Sequence, residues 1–342
     1  MSSFKSIGGF FAMAALLTFN GRADAQPFYW ADTNYSVTVT PQMAAYGSRG
    51  IHVHDPSAII KCGDEYWVFY TGYGIPSYHS KDLTTWERGP SVFTNPPAWA
   101  EHAIPQNRWM RYWAPDVIHI GDRYLLYYAV SVFGKKTSAI GLVTNPTLNP
   151  DDPKYHWTDE GMVIRTETTN NFNAIDPAAS KDANGNLWLS LGSFWTGVKL
   201  VQLDPNTGKR VATNSEIYSI AFNDSIEASY LYHHDDYYYL FVNWGKCCLG
   251  TNSTYEVRVG RSHEITGDYL DKAGEPMMTG GGSYFLGSHG PFIGPGQVGI
   301  ISLGGTNLLS CHFYDGTRHG FPTLAILPLT WDTNGWPKVS LP

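Results

Sequence analysis

The chain has 342 residues and a formal net charge of −7, and charged and aromatic side chains each make up 15% of it. Because the charge is mildly negative and lysine and arginine form no run, neither nucleic acid nor an anionic membrane is expected as a partner. The four cysteines are too few for a disulfide framework and match no zinc-binding spacing. Disulfides and buried free thiols both remain open for them.

The first predicted element is a secretory signal peptide at residues 1–25. Lys5 precedes an apolar run at residues 7–19, which is followed by Ala23-Asp24-Ala25, the order of a cleavable export signal. The run is too short to span a bilayer comfortably, and no later stretch is continuously apolar over ~20 residues. An uncleaved anchor is the alternative. We expect residues 26–342 to form the mature protein, secreted or periplasmic and not attached to a membrane.

A repeated pattern follows, in which an acidic residue, usually before proline, leads into a short apolar run, a turn and an aromatic strand. The acidic residues lie 51 to 61 positions apart and are Asp55, Asp116, Asp176 and Glu227. The aromatic strands are predicted at residues 66–70, 124–128, 187–191 and 237–241. Hairpin turns are predicted before them at Gly63-Asp64, Gly121-Asp122, Asn184-Gly185 and Asp235-Asp236. A fifth unit, residues 298–331, keeps the strands without the acidic residue.

This period predicts an all-β fold, a single-domain five-bladed β-propeller over residues 26–342, because neither a long amphipathic helix nor a linker interrupts it. In a propeller the innermost strands surround one axis, so the four acidic residues should converge at one mouth. Asp116 could instead serve a structural role at a blade entrance. Like charges raise one another's pKa, and glycoside hydrolysis needs both a protonated carboxylic acid and a carboxylate.

Several segments carry a family resemblance: Val53-His54-Asp55-Pro56-Ser57, Trp113-Ala114-Pro115-Asp116-Val117, Phe133-Gly134-Lys135 with Thr137-Ser138-Ala139-Ile140-Gly141, Asn173-Ala174-Ile175-Asp176-Pro177, Gly192-Ser193-Phe194-Trp195, Ile226-Glu227-Ala228, and Cys247-Cys248 with Ser253-Thr254-Tyr255. In these motifs the chain resembles glycoside hydrolase family 43, and within it the α-1,5-L-arabinanases. The resemblance implies a hydrolase that acts on arabinan and arabino-oligosaccharides. We expect a monomer, although no motif determines the oligomeric state.

The resemblance also implies roles for individual residues. Asp55 would be the general base that activates water, Glu227 the general acid, and Asp176 the carboxylate that orients the acid and raises its pKa. The family inverts the anomeric configuration, so the two working carboxyl groups are expected about 6.5–9.5 Å apart. Five residues would line the sugar subsites, with core packing as the alternative for each: His54, Trp113, Phe133, Asn173 and Phe194.

The chain departs from the family pattern in the fifth blade. Many arabinanases carry Gly-His-Asn there, and this histidine often helps to hold an axial calcium ion. The matching segment here is Gly294-Pro295-Gly296-Gln297-Val298, and the neutral amide of Gln297 is a weak calcium ligand. His312 could partly compensate. We expect no essential metal and no other cofactor.

Three other functions remain as alternatives. A β-xylosidase or α-L-arabinofuranosidase would keep the family and change the sugar. A retaining fructan hydrolase would share the propeller, but its Arg-Asp-Pro and Glu-Cys patterns are replaced here by Ile175-Asp176-Pro177 and Ile226-Glu227-Ala228. A sugar-binding propeller without turnover is the alternative outside the enzymes. Internal and terminal cleavage are both open, and loops at residues 106–112 and 280–290 would decide between them.

Overall fold

A computed structural model describes residues 50–341, which form short strands connected by hairpins. The strands are β1 Ile60–Cys62, β2 Glu65–Phe69, β3 Gly72–Tyr73, β4 Ser77–Ser80, β5 Glu87–Gly89, β6 Arg111–Ile120, β7 Arg123–Val130, β8 Ser138–Asn145, β9 Thr158–Thr166, β10 Ala178–Lys181, β11 Leu187–Leu191, β12 Val198–Leu203, β13 Tyr218–Ala221, β14 Ile226–His234, β15 Tyr237–Trp244, β16 Glu256–Ser262, β17 Ser283–Leu286, β18 Phe292–Leu303, β19 Thr306–Asp315, β20 Phe321–Trp331 and β21 Pro337–Val339.

The helices are short: α1 spans Ala98–Ala103, and 3₁₀ turns occupy Gly250–Asn252, Met277–Thr279 and Gly316–Arg318. Within residues 50–341, no helix has the length and apolar character needed to cross a membrane. The predicted signal peptide at residues 1–25 and the predicted domain start at residue 26 lie outside the described residues.

The strands form five antiparallel sheets in chain order, which confirms the predicted five-bladed β-propeller. The blades are β1-β2-β4-β5, then β6 to β9 with β3 at the inner edge, then β10 to β13, β14 to β17 and β18 to β21. Strand β3 leaves the first blade and pairs with β6 of the second. The chain before the first blade returns to the fifth, where His52 bridges to Thr323 and the Val53 N–H donates to the Pro322 carbonyl at 3.2 Å. This pairing closes the ring.

The predicted turns account for the hairpins. Two residues connect the paired strands at 63–64, 121–122 and 235–236, where Gly63, Gly121 and Asp235 adopt the left-handed backbone that tight hairpins need. The turn predicted at Asn184-Gly185 is part of a longer loop, in which the Asp182 carboxylate accepts N–H groups of the loop. All four predicted aromatic strands are present, with ends shifted by at most three residues.

The hydrophobic core is divided into five clusters, each between two neighbouring blades. Most of the abundant aromatic side chains fill these layers, and Trp67, Tyr128 and Phe241 are each at most 1% exposed. A fully buried side chain of this kind stabilises the fold by roughly 1.5–3 kcal/mol. The clusters therefore hold the blades at fixed angles around the axis, which fixes the innermost strands relative to one another.

One residue near the start of each innermost strand lies in the left-handed region although it is not glycine: Asp55, Ala114, Asp176, Ala228 and Gln297. Such a conformation costs about 1–3 kcal/mol per residue and is found mainly where function or packing imposes it. The five positions mark equivalent points of the blades. By this register Glu227 lies one residue before the equivalent point of its blade, and Asp116 lies two residues beyond it.

Candidate active site

Three of the four acidic residues of the repeat come together at one mouth of the central channel. Asp55 precedes β1, Asp176 precedes β10, and Glu227 lies at the start of β14. Asp176 and Glu227 are 8% and 9% exposed, and the Asp55 side chain is 18% exposed. The charges of Glu227 and Asp55 both raise the pKa of Asp176, so the three carboxyl groups share one electrostatic environment.

The expectation that Asp116 joins this ring is wrong. A bulge between Trp113 and Asp116 in β6 carries the aspartate past the mouth, where it is 3% exposed. Its Oδ1 accepts the N–H of Ala58 at 3.1 Å and its Oδ2 accepts the N–H of Ala179 at 2.8 Å. Asp116 therefore joins the first three blades through their inner strands, which is the structural alternative considered for it.

Asp55 is surrounded by groups that favour its ionised form. The Thr71 hydroxyl donates to Oδ2 at 2.7 Å, and His54 Nδ1 lies 2.9 Å from the same oxygen in a bent contact. His312 Nδ1 lies 3.7 Å from Oδ1 and accepts the Asp55 N–H at 3.2 Å. Burial opposes ionisation, but His54, then His312 and Thr71, prevail and lower the pKa of Asp55 to about 2. Asp55 is thus a carboxylate at neutral pH.

Glu227 has the opposite electrostatic balance. The hydroxyl of Ser193 donates to Oε2 at 2.7 Å, and the hydroxyl of Tyr255 donates to Oε1. Burial nevertheless raises the pKa of Glu227, and the charge of Asp55 adds to this effect, while the two hydroxyl donors partly offset it. The two carboxyl groups therefore titrate apart, as an acid and a base of one reaction require.

Asp176 lies close to Glu227. The Asp176 Oδ2 accepts the N–H of Ala228, the residue that follows Glu227, at 3.2 Å. Burial, followed by the charges of Glu227 and Asp55, raises the pKa of Asp176 well above its ordinary value. Only one hydrogen-bond donor to its carboxylate opposes this rise. Asp176 and Glu227 therefore form a coupled pair whose surroundings favour the protonated form of each carboxyl group.

The five residues predicted for sugar subsites occupy different surroundings. His54 contacts Asp55, and the Phe194 N–H donates to the Ile226 carbonyl at 2.7 Å, next to Glu227. Trp113 is half-buried beside Ala114, whose N–H donates to Thr71 at 2.8 Å. The remaining two residues have opposite degrees of exposure. Asn173 is 3% exposed, and its Oδ1 accepts the Ser138 hydroxyl at 2.6 Å. Phe133 is 79% exposed in the loop after β7.

The sequence patterns did not assign a role to several side chains that complete the site. Thr71 donates to Asp55, Ser193 and Tyr255 donate to Glu227, and Tyr314 contacts His54. Ser193 and Tyr255 fall within the motifs that carried the resemblance, so the sequence marked these two residues without indicating their contact with Glu227. Tyr314 follows His312 in Cys311-His312-Phe313-Tyr314-Asp315, a segment that also resembles the family, whereas Thr71 lies in no such segment. Only the folded structure brings the two residues to His54 and Asp55.

The donor atoms of His54, Asp55 and His312 lie within 4.8 Å of one another, which invites comparison with a metal site. Asp55 is ionised and can only accept, so the facing Nδ1 of His54 carries hydrogen and Nε2 points to the Tyr314 hydroxyl. Nδ1 of His312 accepts the Asp55 N–H, which leaves hydrogen on its buried, unpartnered Nε2. In these tautomers His54 turns an N–H towards Asp55 and His312 leaves the N–H at Nε2 without a partner, so a cation here would require a change of tautomer.

The four cysteines form one disulfide and two free thiols. Cys247 and Cys248, which are neighbours in sequence, are joined by a disulfide in the loop between β15 and β16. Cys62 and Cys311 are free, and Cys311 is buried between the fourth and fifth blades. The disulfide lies at the mouth of the site, since Cys248 Sγ is 3.8 Å from His54 Nε2.

Comparisons with known proteins agree with this geometry. The family described as glycosyl hydrolases family 43 matches residues 51–337. The extracellular exo-α-(1→5)-L-arabinofuranosidase of Cellvibrio japonicus is 41% identical over 86% of this chain and 88% of its own length. The extracellular endo-α-(1→5)-L-arabinanase 1 of Bacillus subtilis is 39% identical over 96% of this chain and 95% of its own.

A solved structure leads to the same family. The α-L-arabinanase of Cellvibrio cellulosa, solved with arabinohexaose, matches with a TM-score of 0.81 and 40% identity over 85% of this chain and 96% of that one. The sequence match and the structural match both extend over most of the propeller. The chain therefore belongs to glycosyl hydrolases family 43 and is a glycoside hydrolase.

Proposed function

We propose that this enzyme is a secreted, inverting arabinanase that hydrolyses α-1,5-L-arabinofuranosidic bonds in arabinan and arabino-oligosaccharides. The observation that carries the proposal is the electrostatic contrast between Asp55, whose pKa is lowered to about 2, and the buried Asp176 and Glu227, whose pKa values are raised. Hydrolysis with inversion requires one carboxylate and one carboxylic acid in the same site.

In the proposed reaction, Asp55 takes a proton from a water molecule as the water oxygen attacks the anomeric carbon. Glu227 gives its proton to the glycosidic oxygen, so the bond to the leaving sugar breaks and a new hydroxyl forms on it. Asp176 orients Glu227 and keeps its pKa high. One proton enters Asp55 and one leaves Glu227, and exchange with solvent restores both groups.

The sugar and the location are proposed from the relatives. Both curated relatives are named as extracellular enzymes of α-(1→5)-L-arabinan chemistry, and one matched structure holds arabinohexaose. An export signal at residues 1–25 agrees with an extracellular enzyme. By the same argument, five residues would contact the sugar: His54, Trp113, Phe133, Asn173 and Phe194. We propose that the enzyme acts as a monomer without an essential metal ion, because Gln297 stands where the family pattern has a histidine and its neutral amide is a weak calcium ligand.

The test is product analysis on debranched arabinan for the mature enzyme, Asp55→Asn and Glu227→Gln, with proton NMR of the first product to read its anomeric form. General acid or base catalysis contributes about 10²–10⁴-fold, so each substitution should lower kcat by that order. Asp122→Asn is the matched control, because Asp122 is exposed in the hairpin at the far end of β6. Activity that survives both substitutions, or retention of configuration, would overturn the mechanism.

The same assay separates the alternatives. Hydrolysis of aryl β-xyloside or aryl arabinofuranoside in preference to arabinan would favour a different sugar within the family. Binding of arabino-oligosaccharide without any product would favour a sugar-binding propeller. Mixed oligosaccharides early in the reaction would indicate internal cleavage, and one short product throughout would indicate cleavage from a chain end.

A further inference from the structure

The disulfide between Cys247 and Cys248 lies in a loop that reaches from the fourth blade to the general base. Both cysteines are half-buried, so small reagents can reach them. Cys248 has a φ of 68°, in the left-handed region that residues with a Cβ rarely adopt. The disulfide encloses the Cys247–Cys248 peptide in a small covalent ring, and this ring holds the unusual backbone in place.

A continuous series of contacts runs from this ring to Asp55. The Cys248 N–H donates to the Tyr314 hydroxyl oxygen at 2.7 Å, and that hydroxyl lies 2.8 Å from His54 Nε2. On its other side, His54 presents Nδ1 to Asp55 Oδ2 at 2.9 Å. The first contact has a fixed direction, because the Cys248 N–H can only donate. The Tyr314 hydroxyl donates to His54 Nε2 in the tautomer that carries its hydrogen on Nδ1, the nitrogen that faces Asp55.

The direction matters because each donor fixes the next group. The Tyr314 oxygen that accepts from Cys248 can turn its own hydrogen towards His54 Nε2, and this contact favours the imidazole form with hydrogen on Nδ1. That is the form in which His54 can donate to the carboxylate of Asp55. Loss of the Cys248 N–H would leave the Tyr314 hydroxyl free to rotate and His54 free to exchange tautomers.

We propose that the Cys247–Cys248 disulfide is a positioning element for Asp55, acting through Tyr314 and His54, and that its reduction slows hydrolysis. This inference rests on the proposed role of Asp55 as the general base. Reduction by a dithiol adds two electrons and two protons, which convert the disulfide into two thiols while the reagent closes to its own cyclic disulfide. Without the ring, the Cys248 backbone relaxes from the left-handed region and its N–H leaves Tyr314.

The first experiment compares the oxidised enzyme with the enzyme treated with dithiothreitol, using arabino-oligosaccharides as substrate. A thiol assay on denatured protein should count two thiols before treatment, from Cys62 and Cys311, and four after it.

Loss of a hydrogen bond to a charged group predicts a fall in kcat of about tenfold with little change in KM. The acidic limb of the pH profile should move to higher pH, and reoxidation should restore both. Cys62→Ser, treated in parallel, should respond as the wild type does.

Tyr314→Phe tests whether the effect travels through the hydroxyl. This variant should have a lowered kcat in the oxidised form and should lose nothing further on reduction. The pair Cys247→Ala/Cys248→Ala and Cys247→Ala/Cys248→Gly tests the backbone, because glycine adopts the left-handed region without a steric penalty. The glycine variant should retain more activity than the alanine variant.

A readout that needs no substrate separates this inference from the proposed function. In NMR spectra of side-chain nitrogens, His54 should have hydrogen on Nδ1 in the oxidised protein and a mixture of tautomers after reduction. An unchanged His54 signal, an unchanged kcat on reduction, or an equal response in Tyr314→Phe would overturn the inference. The expected His54 change in a protein that does not hydrolyse arabinan would overturn the proposed function alone.

Discussion

The ring of Tyr255 lies directly over the Cα of Gly296: a Cβ on this glycine would come within 2.5 Å of ring atom Cδ2. The absent side chain leaves the space in which Tyr255 reaches Glu227 with its hydroxyl. Tyr255 precedes β16 in the fourth blade, and Gly296 lies in β18 of the fifth. The surroundings of Glu227 therefore depend on a blade that carries none of the three carboxyl groups.

Gly296→Ala should displace Tyr255 and weaken its contact with Glu227. Small displacements of catalytic groups cost up to about 10²-fold, so we expect kcat to fall by roughly 10- to 100-fold. Overpacking should also lower the free energy of unfolding by about 1–3 kcal/mol. Steady-state kinetics and denaturant unfolding measure the two effects. Gly121→Ala is the control: its Cβ would meet nothing within 4 Å, so only the left-handed backbone of this hairpin should matter, without loss of activity.

Tyr255→Phe should move the basic limb of the pH profile. The Tyr255 hydroxyl stabilises the ionised form of Glu227 and so lowers its pKa against the effect of burial. Without it the pKa of Glu227 rises further, and a general acid remains protonated, hence active, to higher pH. The basic limb of kcat/KM should therefore shift upwards, even though a less well oriented acid lowers the maximum rate. Ser193→Ala should shift the limb in the same direction, and a downward shift in either variant would contradict this account.

The fold was predictable because its signals are local. Turn residues and aromatic strands recur in each blade, so the hairpins at 63–64, 121–122 and 235–236 follow from a few neighbouring residues. Asp55, Asp176 and Glu227 share that register within one residue, and they meet as expected. Asp116 does not, because the bulge in β6 shifts it, and a bulge depends on how two strands pair.

The supporting residues could not be predicted for a related reason. Tyr314 is 260 residues from His54, and Asn243, whose Oδ1 accepts the Gln297 N–H at 3.0 Å, is 54 residues from it. The first pair meets only where the ring closes, and the second through the packing of two consecutive blades, so neither contact follows from residues that are neighbours in sequence. The disulfide of adjacent cysteines was open for the same reason: its geometry belongs to the loop after β15.

His54→Asn should shift the acidic limb of the pH profile of kcat/KM to higher pH. Of the groups that lower the pKa of Asp55 to about 2, His54 contributes most, against the opposing effect of burial. Without the imidazole this pKa should rise towards or above its ordinary value of 3.8. A general base acts only when ionised, so activity is lost as pH falls through its pKa, and the limb should shift to higher pH. His79→Asn, which removes an imidazole paired with Glu65 at 3.1 Å in the first blade, should leave the limb in place.

Chelator should leave activity and melting temperature unchanged. This follows from the proposal that no metal is essential, since Gln297 stands where the family pattern has a histidine and its neutral amide is a weak calcium ligand. Assays after exhaustive dialysis against a chelator, with and without added calcium, test this. Loss of activity that calcium restores would contradict it. Gln297→His, which introduces the histidine of the family pattern, is the informative variant, and calcium should stabilise it more than the wild type.

Asp116→Asn should remove a pH-dependent loss of stability. Burial raises the pKa of Asp116 to about 6, above its ordinary value of 3.8, although N–H donors oppose this. Between these pH values the folded state holds a proton that the unfolded state releases, so stability is highest in acid and falls as pH rises, by roughly 3 kcal/mol. The amide of the variant does not titrate, so this pH dependence of stability should disappear. Its NH₂ group would face one of the two backbone N–H donors of Ala58 and Ala179, and this lost hydrogen bond should lower stability in acid by about 1–3 kcal/mol. Denaturant unfolding across this range measures both, and the exposed Asp122→Asn should behave like the wild type. If wild type and Asp116→Asn lost stability in parallel, the buried carboxyl would not be the titrating group.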